Sequence, residues 1–77
     1  MKEQAIKTLK NLIALIWGFN VEIEGSINEK GIDLKIVCDD KIKPFLVGRK
    51  GRIIRLLRRI MKVWGTINKC NVNIQKI

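Results

Sequence analysis

Phe45-Leu46-Val47-Gly48-Arg49-Lys50-Gly51-Arg52-Ile53-Ile54-Arg55 is the stretch that decides how this chain folds. Two glycines bracket two cations, an apolar run leads in, and a basic amphipathic run leads out. A glycine-bordered turn that opens a helix presents free backbone N–H groups at the positive end of the helix dipole. With Arg49 and Lys50 at its tip, such a turn attracts phosphate. Past the second glycine, Ile53, Leu57, Ile60 and Trp64 recur at spacings of four, three and four, joined by Ile54 and Met61. Arg52, Arg55, Arg59 and Lys62 recur at three, four and three, which puts them in one stripe on the opposite side of a helix. That helix is expected from about residue 51 or 52 to 63 or 64, closed by Gly65.

Charge is divided unevenly around this stretch. Residues 1–40 carry five lysines and all seven acids, whereas residues 41–77 carry eleven cations and no acid. A basic half set against a mildly acidic half is the footprint of a protein that meets nucleic acid, with anionic lipid as the other candidate. Seventy-seven residues make one small domain, 1–77, with a modest core. The longest apolar run, Leu12 to Trp17, is too short to cross a bilayer, and the first residues do not read as a secretory signal, so a cytoplasmic protein is expected. No histidine is present, and two cysteines are too few for a zinc site. Without a histidine base, a nucleophile motif or a metal-ligand set, neither an enzyme nor a cofactor is expected.

Upstream, Ile6, Leu9, Ile13 and Ile16, widened by Ala5 and Leu12, predict a helix over 2–17 that Gly18 stops. From Val21 the period becomes two: Val21, Ile23 and Ile27 alternate with Glu22, Glu24 and Ser26, with Gly25-Ser26 marking a bulge or an early end. Asn28-Glu29-Lys30-Gly31 reads as a hairpin turn, and Ile32, Leu34, Ile36 and Cys38 as the returning strand. Asp39-Asp40 is placed to cap a short helix over about 41–47, starting a few residues later unless Pro44 lies in its first turn, with Phe45 pointing inward. A last strand carries Val72 and Ile74. Two strands joined through a pair of helices lie parallel. The expectation is therefore an α+β domain of order α-β-β-α-α-β: a mixed three-stranded sheet with three helices on one face. Cys38 and Cys70 then fall at opposite ends of neighbouring parallel strands, too far apart for a disulfide.

This order, with Leu46-Val47-Gly48-Arg49-Lys50-Gly51-Arg52 between two helices, resembles the KH domain in its bacterial, type II arrangement. The resemblance covers nearly the whole chain. It looks like the small stand-alone bacterial KH proteins of the KhpA type; Leu15-Ile16-Trp17-Gly18-Phe19 into Val21-Glu22-Ile23-Glu24 also looks like the KH part of the Jag (KhpB) proteins, and of the two the KhpA-like reading is favoured. What it implies is RNA binding, since a KH loop of the form Gly-x-x-Gly clamps the backbone of about four nucleotides. It also implies a post-transcriptional or RNA-chaperone role, and pairing with a second copy or with a Jag-like (KhpB) partner.

On this view single-stranded RNA lies between the loop with its flanking helices and the last strand. Gly48 and Gly51 admit the phosphate backbone without a Cβ in the way. Arg49 and Lys50 supply charge, with Arg52, Arg55 and Arg59 next along the helix. Val47 and Ile54, with Leu46 and Ile53, floor the groove for bases, some of them serving the core as well. With no aromatic expected in that groove, stacking adds nothing, and binding should be weak, salt-sensitive and loosely sequence-selective. The competing expectation is a basic module that uses helix 52–64 to meet a protein or an anionic membrane surface, without inserting into it.

Overall fold

Helix α1, Lys2–Trp17, opens the chain, and its ends are set locally. Gly18 adopts the left-handed conformation (φ 75°) and donates its N–H to Ala14 O, closing the helix where expected. Ala5, Leu9 and Ile13 are wholly buried, a row at intervals of four that continues to the half-buried Trp17. The tryptophan takes the place expected of Ile16, which is left 53% exposed. The computed structural model that gives these positions describes all of residues 1–77.

Strands β1, Glu22–Asn28, and β2, Gly31–Val37, pair antiparallel in unbroken register from Glu22↔Val37 to Asn28↔Gly31. Gly25 therefore sits opposite Leu34 in a regular ladder, not in a bulge. Its role is clearance: a Cβ there would lie 2.9 Å from Ile6 Cδ1 and 3.1 Å from Lys2 Cγ, so the glycine lets α1 approach the sheet. Ile27, two residues further on, lies beyond this first turn of α1 and is exposed. In the hairpin, Asn28 Oδ1 accepts from the N–H groups of Lys30 (2.9 Å) and Gly31 (3.1 Å), and Gly31 has φ 138°.

Asp39 organises the next turn without capping a helix. Its carboxylate accepts from Lys41 N, and its carbonyl from Ile42 N and Lys43 N. The helix proper, α2, is only Lys43–Val47, with Pro44 in its first turn and no side-chain cap. Gly48 ends it, donating to Pro44 O at 2.9 Å. A 3₁₀ turn, Arg49–Gly51, leads into α3, Arg52–Ile67.

Helix α3 runs three residues past Trp64, because Gly65 is an interior packing position. A Cβ at residue 65 would lie 2.6 Å from Cys70 O and 3.2 Å from Val72 Cγ2, where the chain crosses back toward the sheet. The true stop is a Schellman motif. Lys69 sits at φ 58° and donates to Thr66 O, while Cys70 N donates to Gly65 O at 2.8 Å. The buried row is accordingly Ile54, Leu57, Met61 and Gly65, and Ile60 turns outward.

Strand β3, Val72–Ile74, lies parallel to β2 (Ile32↔Val72, Leu34↔Ile74), giving a mixed sheet of order β1-β2-β3. The fold is thus α+β, a three-stranded mixed sheet with two full-length helices; the expected middle helix is reduced to the five residues of α2. One cluster of buried residues joins the inward side chains of the sheet (Ile23, Ile32, Leu34, Ile36, Val72, Ile74) to α1, Leu46 and α3. Cys38 and Cys70 are free thiols. Burial pushes the Cys38 thiol above its ordinary 9.0; Lys43 opposes this, and Asp39 and Asp40 add to it.

Candidate phosphate loop and basic groove

Three special conformations within four residues build the loop. Gly48 (φ 76°, ψ 175°), Lys50 (φ 56°, ψ 28°) and Gly51 (φ 72°, ψ 19°) all have positive φ, the last two in the left-handed region. The two glycines are there for different reasons. A Cβ on Gly48 would run into Ile53, within 2.9 Å of its Cβ and N, so that glycine makes room for the protein's own chain. A Cβ on Gly51 would meet nothing closer than 3.7 Å, so conformation alone selects glycine there. Lys50 is the strained residue, and Arg55 braces it: Arg55 Nη1 donates to Lys50 O at 2.9 Å.

Arg49 and Lys50 stand exposed at the tip, and no side-chain oxygen caps the start of α3. Arg52, Arg55, Arg59 and Lys62 are all exposed along the helix, as their spacing predicts. With Arg58 and Leu56 they line a groove of about 710 Å³ whose other wall is Val72, Asn73 and Ile74 of β3. The one ion pair in the protein is Lys43–Asp40 (3.1 Å), so none of these groove cations has a carboxylate partner. No cluster of His, Cys, Asp or Glu is placed to hold a metal ion. No helix is long and apolar enough to cross a membrane.

Ile54 is buried and Leu46 wholly so, which makes these the two of the four expected floor residues that serve the core; Ile54 still backs a smaller recess of about 290 Å³ with Val47, Gly51, Arg58, Lys76 and Ile77. Arg55 is tied to the loop it was expected merely to follow. Phe45 is 57% exposed, edge-on to Phe19 (5.7 Å, 67°), which in turn stacks on Trp17 (6.1 Å, 6°). Five-residue α2 is too short to bury more than Leu46, so the phenyl ring covers the end of α1 from outside.

Arg58 lies off the cationic stripe, where an acid such as Glu3 or a partner is the expectation, and no carboxylate reaches it. Its Nε donates to Ile74 O at 3.1 Å, between the larger groove and the smaller recess. Lys62, Asn73, Lys76 and Ile77 complete the linings; the last two are invisible in a sequence reading, since only the return of β3 beside α3 brings them near the loop. Compared with protein-family models, with curated proteins and with solved structures, the chain finds no match in any of the three.

Proposed function

We propose that this chain is a KH-type RNA-binding domain that holds a short single-stranded RNA by its phosphates. The observation that carries the proposal is continuity of charge. The exposed loop cations Arg49 and Lys50 run directly into the face Arg52, Arg55, Arg59 and Lys62, which has no carboxylate partner and walls a groove against β3. The order of elements supports the type II KH arrangement: a Gly-Arg-Lys-Gly loop between α2 and α3, β2 parallel to β3, and α2 as a shortened third helix.

In this mechanism Gly51 and Lys50 hold the loop in a left-handed turn with the Arg49 and Lys50 side chains exposed at its tip, and Arg55 keeps it there. Arg49, as a fork, and Lys50, as a point charge, take the first phosphates; Arg52, Arg59 and Lys62 take those that follow. Val47 and Ile77 give bases an apolar recess beside the loop. Phosphate contacts supply most of the affinity, so binding is salt-dependent and weakly selective, as suits a cytoplasmic post-transcriptional or RNA-chaperone role.

Fluorescence anisotropy with a short single-stranded RNA, at low and at moderate salt, tests this. Arg49→Asp/Lys50→Asp removes binding at both salts while circular dichroism stays native, because both side chains are exposed. Wild-type affinity in that variant would show the loop clamp to be wrong.

A further inference from the structure

Ten large apolar side chains are left exposed, and four of them form a single line: Leu56, Ile60, Val63 and Ile67 of α3, each 45–74% exposed. Their spacings of four, three and four run almost the whole length of the helix. At about 100° per residue the four fall within about 60° of arc, centred about 90° round the helix from the stripe Arg52, Arg55, Arg59 and Lys62. Neither the core nor an RNA phosphate contact accounts for such a line, since the core row is Ile54, Leu57, Met61 and Gly65.

Width and charge decide what the line fits. A helix that lies in a membrane surface presents a broad apolar face, about 100° or more, whereas an alternation of three and four confined to a narrow seam is the pattern that receives one other helix, knob into hole. The flanking cations then select the partner. They have no carboxylate within reach, and the chain has no acid after Asp40. A second α3 laid on this seam meets only like charge along its basic flank. A helix with apolar residues at the same spacing and carboxylates beside them meets opposite charge there.

We propose that the outer face of α3 docks an acidic amphipathic helix from a partner protein, with its apolar knobs on Leu56–Ile60–Val63–Ile67 and its carboxylates on Arg52, Arg59 and Lys62. The site rests on the seam and its flank, independently of what the glycine loop binds. Because Arg52, Arg59 and Lys62 also wall the groove beside β3, an acidic helix and any polyanion in that groove exclude one another.

The test uses the full chain and a labelled synthetic helix of about 18 residues, with leucines at alternating three and four spacing and glutamates at the flanking positions. A matched peptide with lysines for the glutamates is the control. The glutamate peptide binds in anisotropy, the lysine peptide does not, and Ile60→Ser/Val63→Ser weakens binding about tenfold or more without changing the circular dichroism. Three results overturn the proposal. The first is glutamate-peptide binding indifferent to Ile60→Ser/Val63→Ser, which leaves only unspecific charge attraction. The second is a doubling of mass in sedimentation that this variant abolishes, which gives the seam to a second copy. The third is binding to phosphatidylglycerol vesicles that this variant abolishes, which gives it to a membrane surface.

Discussion

If RNA runs from the loop along α3, the salt dependence of binding counts the contacts, and single substitutions subtract from the count. Arg58 and Arg55 are engaged with Ile74 O and Lys50 O, which leaves Arg49, Lys50, Arg52, Arg59 and Lys62 as unpaired donors. From Arg52 to Lys62 the helix advances about 15 Å, and with the loop this accommodates about four phosphates. Each single-strand phosphate contact contributes a slope of about 0.7 in log K against log salt. Four give about 2.8, so raising salt from about 50 to about 200 mM costs about fiftyfold in affinity. Arg59→Gln/Lys62→Gln removes two contacts, lowers the slope to about 1.4 and shrinks that loss to about sevenfold. Lys7→Gln, an exposed lysine on α1, leaves slope and affinity unchanged. The measurement is anisotropy across a salt series with one short RNA. A double variant that keeps the wild-type slope refutes a path along α3, whatever its affinity.

The C-terminal end of α3 carries two opposite glycine exchanges. Gly65→Ala gains about 1 kcal/mol of helix propensity but drives a Cβ to 2.6 Å from Cys70 O. The overpacking wins, and a net loss of about 1–2 kcal/mol lowers the thermal midpoint by about 5–15 °C. Lys69→Gly relieves a left-handed lysine (φ 58°) and raises the midpoint by a few degrees, about 0.5–1 kcal/mol; an unchanged or lower midpoint contradicts the Schellman assignment. For Cys38 the sign follows from its raised folded-state pKa. The partly buried neutral thiol adds stability that is complete below the ordinary thiol value of 9.0 and is lost as pH rises through the folded-state value. The urea midpoint therefore falls more steeply as pH rises above 9.0 in wild type than in Cys38→Ala.

What could be read from the sequence was what neighbouring residues decide among themselves. Gly18 ends α1, Asn28 to Gly31 turn the hairpin, and Gly48 and Gly51 bracket the loop, because each depends on a φ angle or a hydrogen bond within a few positions. The stripe of four cations was legible for the same reason: helical spacing alone sets it. Gly65 misled because a glycine in a helical run looks like a stop until one knows that Cys70 and Val72 cross over it. Ile60 shares the apolar row with Leu57 in the sequence because the seam and the core row are both apolar with helical spacing, and only the sheet tells them apart. The braces Arg55–Lys50 and Arg58–Ile74 were beyond reach, since a side chain that donates to a distant carbonyl leaves no mark in spacing.

The Arg58–Ile74 bond has a consequence for the sheet as a whole. Strand β3 is an edge, and the hydrogen bonds of Asn71 and Gln75 to β2 turn the backbone groups of Val72 and Ile74 outward. A row of unpaired outward carbonyls and amides is an invitation to any passing extended chain. Here the row is only three residues long, and one of its carbonyls is already taken by a guanidinium from the protein's own helix. The arginine acts as a doorstop. It keeps the open side of a small sheet from being extended by another copy, and leaves the cation-lined groove beside it to ligands that bring charge of the opposite sign.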